Sequence, residues 1–287
     1  MTSLQPPSVD EPGPLPRPAT PSPAAGPTGA AAWPPWAALA ALFAAFFCVT
    51  VVATVVAAAS GSTSELRDPS PGVNLALTFF QDFVFVGVAV GVAYLIGRPR
   101  AADFGLVAPA QRGRAIGLLV AVWVSFLVVS AVWVTALGLH EKQELPGRLG
   151  ADGSTLSAIA VIVLITVFAP LGEEMLFRGL VFGSLRNWRG VWPAAIITGI
   201  LFGGIHAGSA PVGFLVPLGF LGFGLCLLYH FTGSLYPGIA LHALNNSIAL
   251  GSTLHYDWQI PVMMVGSVIV ALAIAARLGR LLGGGRA

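Results

Sequence analysis

IAVIVLITVFAPLGEEMLFRGLVF, residues 159–182, is one apolar run broken by two adjacent glutamates, Glu173 and Glu174, and by Arg178 four residues later. A run of this length and character is long enough to cross a bilayer as a helix. A charged side chain near the bilayer centre costs roughly 2.5–3.5 kcal/mol on insertion scales, so ionisable residues kept there are paired or do chemistry. The stretch therefore points to an enzyme active site inside a membrane.

The rest of the chain fits that reading. Of 287 residues, 56% are hydrophobic and only 9% charged, against about 25% charged in soluble domains. Segments long and apolar enough to span fall at 36–59, 73–97, 115–138, 155–182, 191–209, 211–231, 235–254 and 260–282. The expected fold is all-α: a polytopic membrane bundle of about eight transmembrane helices with a disordered N-terminal tail. Residues 1–33, rich in Pro and Ala, form that cytoplasmic tail, because such a composition cannot bury a core. Residues 34–150 hold the N-terminal transmembrane helices and 151–256 the catalytic region. Residues 257–287 are a last transmembrane helix with a short basic tail.

Orientation follows from Lys and Arg in the short loops. With the tail inside, Arg17, Arg98, Arg100, Arg112, Arg114, Arg186, Arg189, Arg277, Arg280 and Arg286 are cytoplasmic, whereas Arg67, Lys142 and Arg148 are outside. Both termini are expected in the cytoplasm. These positives mark topology, and nucleic acid is not an expected partner. Cys48 and Cys226 each lie within a span, which leaves no disulfide framework and no CxxC zinc signature.

Residues four apart on a helix share a face, whereas neighbours are turned by about 100°. Glu174 and Arg178 are expected to stack as an ion pair, with Glu173 pointing elsewhere and free to act as a general base or metal ligand. Downstream, Phe202 and His206 are one turn apart, as are His242 and Asn246. Glu173 lies about 20 Å from Arg186 and His206 about 22 Å from Val191 at 1.5 Å per residue, so the two can meet at one level. His242 is only about 9 Å past Tyr236, a mismatch in depth. Phe202 reads as a wall for the His206 ring. Asn245 reads as packing, and His140, His230 and His255 as structural. Asp82 is an intramembrane ionisable group with no motif around it. Ser184, Ser234 and Ser247 lack a G-x-S-x-G context, and neither cysteine has a histidine nearby in sequence.

Glu173-Glu174-x-x-x-Arg178, Phe202-x-x-x-His206 and His242-x-x-x-Asn246, in that order on hydrophobic helices, resemble the three motifs of the CAAX-protease and bacteriocin-processing family. That family includes the Abi proteins and the Ras-converting CAAX endopeptidases. The resemblance covers about residues 154–254, and Thr232-Gly-Ser-Leu-Tyr-Pro-Gly before His242 is similar to the family's approach to its third motif. It implies an intramembrane endopeptidase in a bacterial-type inner or plasma membrane. By similarity, Glu173 with His206 would activate a water, and His242 with Asn246 would stabilise the oxyanion. Glu174, Arg178 and Phe202 would support them. The implied partners are a protein or peptide substrate, entering from the membrane or the cytoplasm, and the lipid bilayer.

No cofactor is expected. Two histidines and a glutamate would suit zinc with an open position, but there is no H-E-x-x-H helix. A zinc-dependent protease, a non-proteolytic immunity or scaffold protein, and a transporter are the alternatives. Substrate identity and oligomeric state are not written in the sequence.

Overall fold

The computed structural model describes residues 33–59, 69–140 and 143–283. The expected tail falls outside the described residues except for Trp33, as do Arg17, Arg67, Lys142 and Arg286. Eight long helices run up and down: α1 Pro35–Ala59, α2 Pro71–Ile96, α3 Arg112–Leu137, α4 Thr155–Arg189, α5 Val191–Ile205, α6 Leu215–Thr232, α7 Tyr236–Thr253 and α8 Gln259–Gly283. The protein is an integral membrane helix bundle. Large apolar side chains such as Leu39, Phe43, Ile116 and Val132 point outward on α1 and α3, as a lipid solvent demands.

Among the described residues six of the eight are long and apolar enough by length and composition to cross a bilayer, in keeping with the expected polytopic helical bundle. The fifth, α5, has 15 residues, or about 22 Å at 1.5 Å per residue against a hydrocarbon core of about 30 Å. It stops at Ile205 rather than 209, and His206 caps its end. The seventh, α7, carries His242, Asn245 and Asn246, and its polarity keeps it out of the set of apolar spans.

Trp33, grouped by composition with the tail, is buried instead. Its indole N–H donates to the Gly179 carbonyl at 3.0 Å, its ring lies 5.4 Å from that of Phe104, and its carbonyl accepts from Asn187 Nδ2 at 3.2 Å. At the same end, the loop after α2 folds inward. Gly105 takes a left-handed φ of 75° there, its carbonyl accepting from Leu235 N at 2.8 Å, while Val107 O accepts from Ser234 Oγ at 2.6 Å.

Those two bonds resolve the depth mismatch at His242. The helix α7 starts where the sequence places it, but its start is recessed: Ser234 and Leu235 are fully buried under the 101–107 segment. Leu235 lies beside Gly179. From Gly179 back to Glu173 is six residues, and from Leu235 on to His242 is seven, or roughly 9 and 10 Å along the two helices. The two side chains arrive at one level because the loop between α6 and α7 is sunk into the bundle.

The α5 and α6 helices pack backbone to backbone along Gly199, Gly203 and Gly219. A Cβ on Gly199 would lie 2.7 Å from the Gly219 carbonyl, and one on Gly203 would meet the Leu215 carbonyl. Gly203→Ala is expected to lower stability by about 1–3 kcal/mol through overpacking, read as a lower melting temperature in detergent. An unchanged melt would show that the two helices can separate freely.

Candidate active site

The local structure of α4 sets the geometry. Ser154 caps the helix, its Oγ accepting from Ser157 N at 3.1 Å. Two wide, π-type turns follow, at Leu164–Phe168 and Glu174–Phe182. Such turns are rare and concentrate at functional sites. Pro170 accounts for an unusual vacancy in the first. Ala169 N–H donates to Leu164 O, and Pro170 has no N–H to offer Ile165 O. That carbonyl accepts from Asn246 Nδ2 at 2.9 Å instead. Asn246 is thereby tethered across from α7 to α4, with one amide hydrogen used and one left.

The expected ion pair forms. Arg178 Nη1 donates to Glu174 Oε1 at 2.7 Å, and both side chains are completely buried. Arg178 Nη2 also donates to Gly222 O at 3.1 Å, and its guanidinium lies 4.2 Å from the centre of the Phe202 ring. Further hydrogen bonds offset the cost of burying such a pair, although Glu174 Oε2 and Arg178 Nε have none among the described residues. Glu174 is supplied a second donor, because His242 Nδ1 sits 3.3 Å from the same Oε1. A carboxylate only accepts, so Nδ1 carries the hydrogen. Close approach also depends on Gly238, where a Cβ would fall 2.8 Å from Glu174 Oε2.

The expectation that Glu173 points away from Glu174 needs correcting. Glu173 Oε2 is 3.7 Å from His242 Nε2, so the imidazole stands between the two carboxylates, one at each nitrogen. The helical-wheel argument separates Cβ directions but not the ends of long side chains. His242 is buried, and Glu173 is 7% exposed. Glu173 Oε2 has no hydrogen-bond partner among the described residues.

His206 is placed differently. Its Nδ1 lies 2.8 Å from the Phe202 carbonyl, which only accepts, so Nδ1–H donates and Nε2 keeps its lone pair. The residue is half-buried. No hydrogen bond or ion pair joins it to Glu173 among the described residues. Phe202 links the two histidines instead, its ring centre 5.0 Å from that of His206 and 5.7 Å from that of His242. The phenyl group packs edge-on to Phe177 at 5.5 Å as well. It is the hub of the cluster and keeps water from its apolar side.

The structure therefore brings Glu173, Glu174, Arg178, Phe202, His206 and His242 into one cluster on α4, α5 and α7, with Asn246 one turn beyond His242 and tied to Ile165. Sequence reasoning missed the His242 bridge between the two glutamates and the Asn246 link to Ile165. The second had a signal: Pro170, five residues beyond a carbonyl that a wide turn would leave unpartnered. Among the described residues, no three His, Cys, Asp or Glu side chains converge in a metal-holding arrangement. The Glu173 and Glu174 carboxylates face each other across His242, and Glu174 is held by Arg178.

The cluster lies wholly within the part of the chain that matches a known family. Residues 155–248 match the family of type II CAAX prenyl endopeptidase Rce1-like proteins. The three motifs and the family segment thus coincide. The chain is also similar to an uncharacterized 24.3 kDa protein of Escherichia coli, 34% identical over 102 residues, which are 32% of this chain and 46% of that one. The match spans about half the length of that relative. No solved structure matches the chain.

Proposed function

We propose that this protein is an intramembrane endopeptidase that hydrolyses a peptide bond of a protein or peptide substrate at the membrane. The observation that carries the reading is Glu173: a buried carboxylate with an unpartnered oxygen, beside a histidine fixed from its other side by the Glu174–Arg178 pair, inside the Rce1-like segment. A carboxylate held out of water and near a proton donor is suited to general acid/base work.

In this mechanism Glu173 accepts a proton from water while the water oxygen bonds to the scissile carbonyl carbon. His206, with Nε2 free as an acceptor, orients the same water. The carbonyl oxygen gathers negative charge and takes hydrogen bonds from His242 Nε2–H and from the unused amide hydrogen of Asn246. In this step His242 donates from both nitrogens, Nδ1–H to Glu174 and Nε2–H to the oxyanion. Collapse of the tetrahedral species breaks the C–N bond, and Glu173 returns its proton to the leaving amine. Donors of this oxyanion type typically contribute about 2.7–4 kcal/mol each to the barrier. The residues perform the cycle without a metal.

We further place the protein in a bacterial-type inner or plasma membrane with both ends cytoplasmic, and the substrate entering from the membrane or cytoplasmic side. The test is to incubate purified protein, with and without chelator, with a library of peptides and membrane-protein fragments. Wild type should cleave in both conditions, whereas Glu173→Ala and His206→Ala should not. Cleavage untouched by either substitution would sink the assignment.

A further inference from the structure

Asp82, in the middle of α2, is 2% exposed, and neither of its carboxyl oxygens has a hydrogen-bond partner among the described residues. No sequence motif surrounds it, and it lies outside the family segment. An ionised carboxylate so placed, in a helix that crosses the bilayer, is costly in any account of membrane energetics. A structural role would be visible as a bond, and there is none.

Its surroundings say what the carboxyl faces. The α2 and α4 backbones touch here: a Cβ on Gly172 would lie 2.9 Å from the Asp82 carbonyl oxygen. Gly172 precedes Glu173, so the Asp82 backbone touches α4 one residue before the glutamate. The elements packed on α2 are α1, α4 and the short turn Leu145–Arg148. Of these, α1 offers only the Cys48 thiol, and the turn offers Arg148 at the far end of the bundle. On α4 the ionisable groups are Glu173, Glu174, Arg178 and, towards its end, Arg186 and Arg189. Glu174 and Arg178 are already joined to each other. Glu173 Oε2 and Glu174 Oε2 both lack a hydrogen-bond partner among the described residues, and Glu173 is the one that adjoins the Asp82 contact at Gly172. Two buried carboxyl groups whose oxygens lack hydrogen bonds, on contacting backbones, can satisfy each other if one proton is held between them.

We propose that Asp82 is a positioning residue for Glu173: its protonated carboxyl is the donor that Glu173 lacks, directly or through one water, and it holds the glutamate ionised and oriented for proton abstraction. The inference rests on Glu173 being the general base. The pair carries one negative charge until Glu173 takes the proton from water, is neutral until that proton passes to the leaving amine, and Asp82 keeps its own proton throughout.

The test compares wild type, Asp82→Asn and Asp82→Leu. Asparagine keeps a donor of nearly the same shape, whereas leucine removes it. Because a hydrogen bond to a charged group is worth about 10- to 100-fold, Asp82→Leu is expected to lower kcat by about that factor with KM unchanged, and Asp82→Asn by only a few-fold. The acid limb of the kcat–pH profile should move to higher pH in Asp82→Leu and stay near wild type in Asp82→Asn. Infrared spectra supply a readout independent of cleavage: a protonated carboxyl C=O band that vanishes in Asp82→Asn and shifts in Glu173→Gln. Absence of that band, or equal kcat and pH profile in wild type and Asp82→Leu, overturns the proposal. So does an Asp82→Asn protein that folds but is as slow as Asp82→Leu. Failure of the wild type to cleave anything, with the band present, would instead overturn the endopeptidase reading alone.

Discussion

Arg178→Met is expected to destabilise the protein by about 3–5 kcal/mol, the usual consequence of leaving one member of a buried ion pair alone. The substitution strands Glu174, which is wholly buried, and removes the 2.7 Å bond that neutralises it. It also leaves the Gly222 carbonyl without its donor and the Phe202 ring without the guanidinium stacked on it. The double variant Glu174→Leu with Arg178→Met should recover part of the loss, because replacing both charges with apolar groups leaves no bare charge behind. It will not recover all of it, since His242 Nδ1 also depends on Glu174. Thermal unfolding in detergent measures both. A single variant as stable as wild type would mean that the pair is not holding α4 to α6.

Glu173→Gln has the opposite signature. The amide cannot accept a proton, so the rate at saturating substrate should fall by about 10²–10⁴-fold, the range of general acid/base catalysis. Stability should hold or rise, because glutamine keeps an acceptor oxygen at that place and the charge buried there is removed. Catalysis lost with the fold kept for residue 173, and the fold lost for residue 178, would separate two roles that stand five residues apart in one helix. Retained cleavage in Glu173→Gln would move the base to another group. A collapse in melting temperature would make Glu173 structural.

The pairing of Glu174 with Arg178 was legible in the sequence because it is local: two side chains one turn apart on the same helix meet whatever the rest of the chain does. The membrane character was legible for the same kind of reason, being a property of composition along single segments. The depth of His242 was not. It depends on the loop at Ser234–Leu235 being buried under Gly105–Val107, and no count of residues from an assumed helix start contains that information. Nor did a helical wheel show that Glu173 and Glu174 reach opposite nitrogens of one imidazole, since the ring comes from another helix and long side chains can converge from diverging Cβ directions.

By itself, then, the sequence determined that this is a helical membrane protein, that Glu173, Glu174 and Arg178 share one span, and which histidines and asparagine were candidates to join them. Those are consequences of apolar length, of short-range spacing and of motif order. Tertiary structure alone decided that Asn246 is held by the carbonyl Pro170 leaves free, and that Asp82 sits against the backbone beside Glu173. Each is a contact between elements far apart in the chain. Its energy comes from burial and from hydrogen bonds that exist only once the helices have packed.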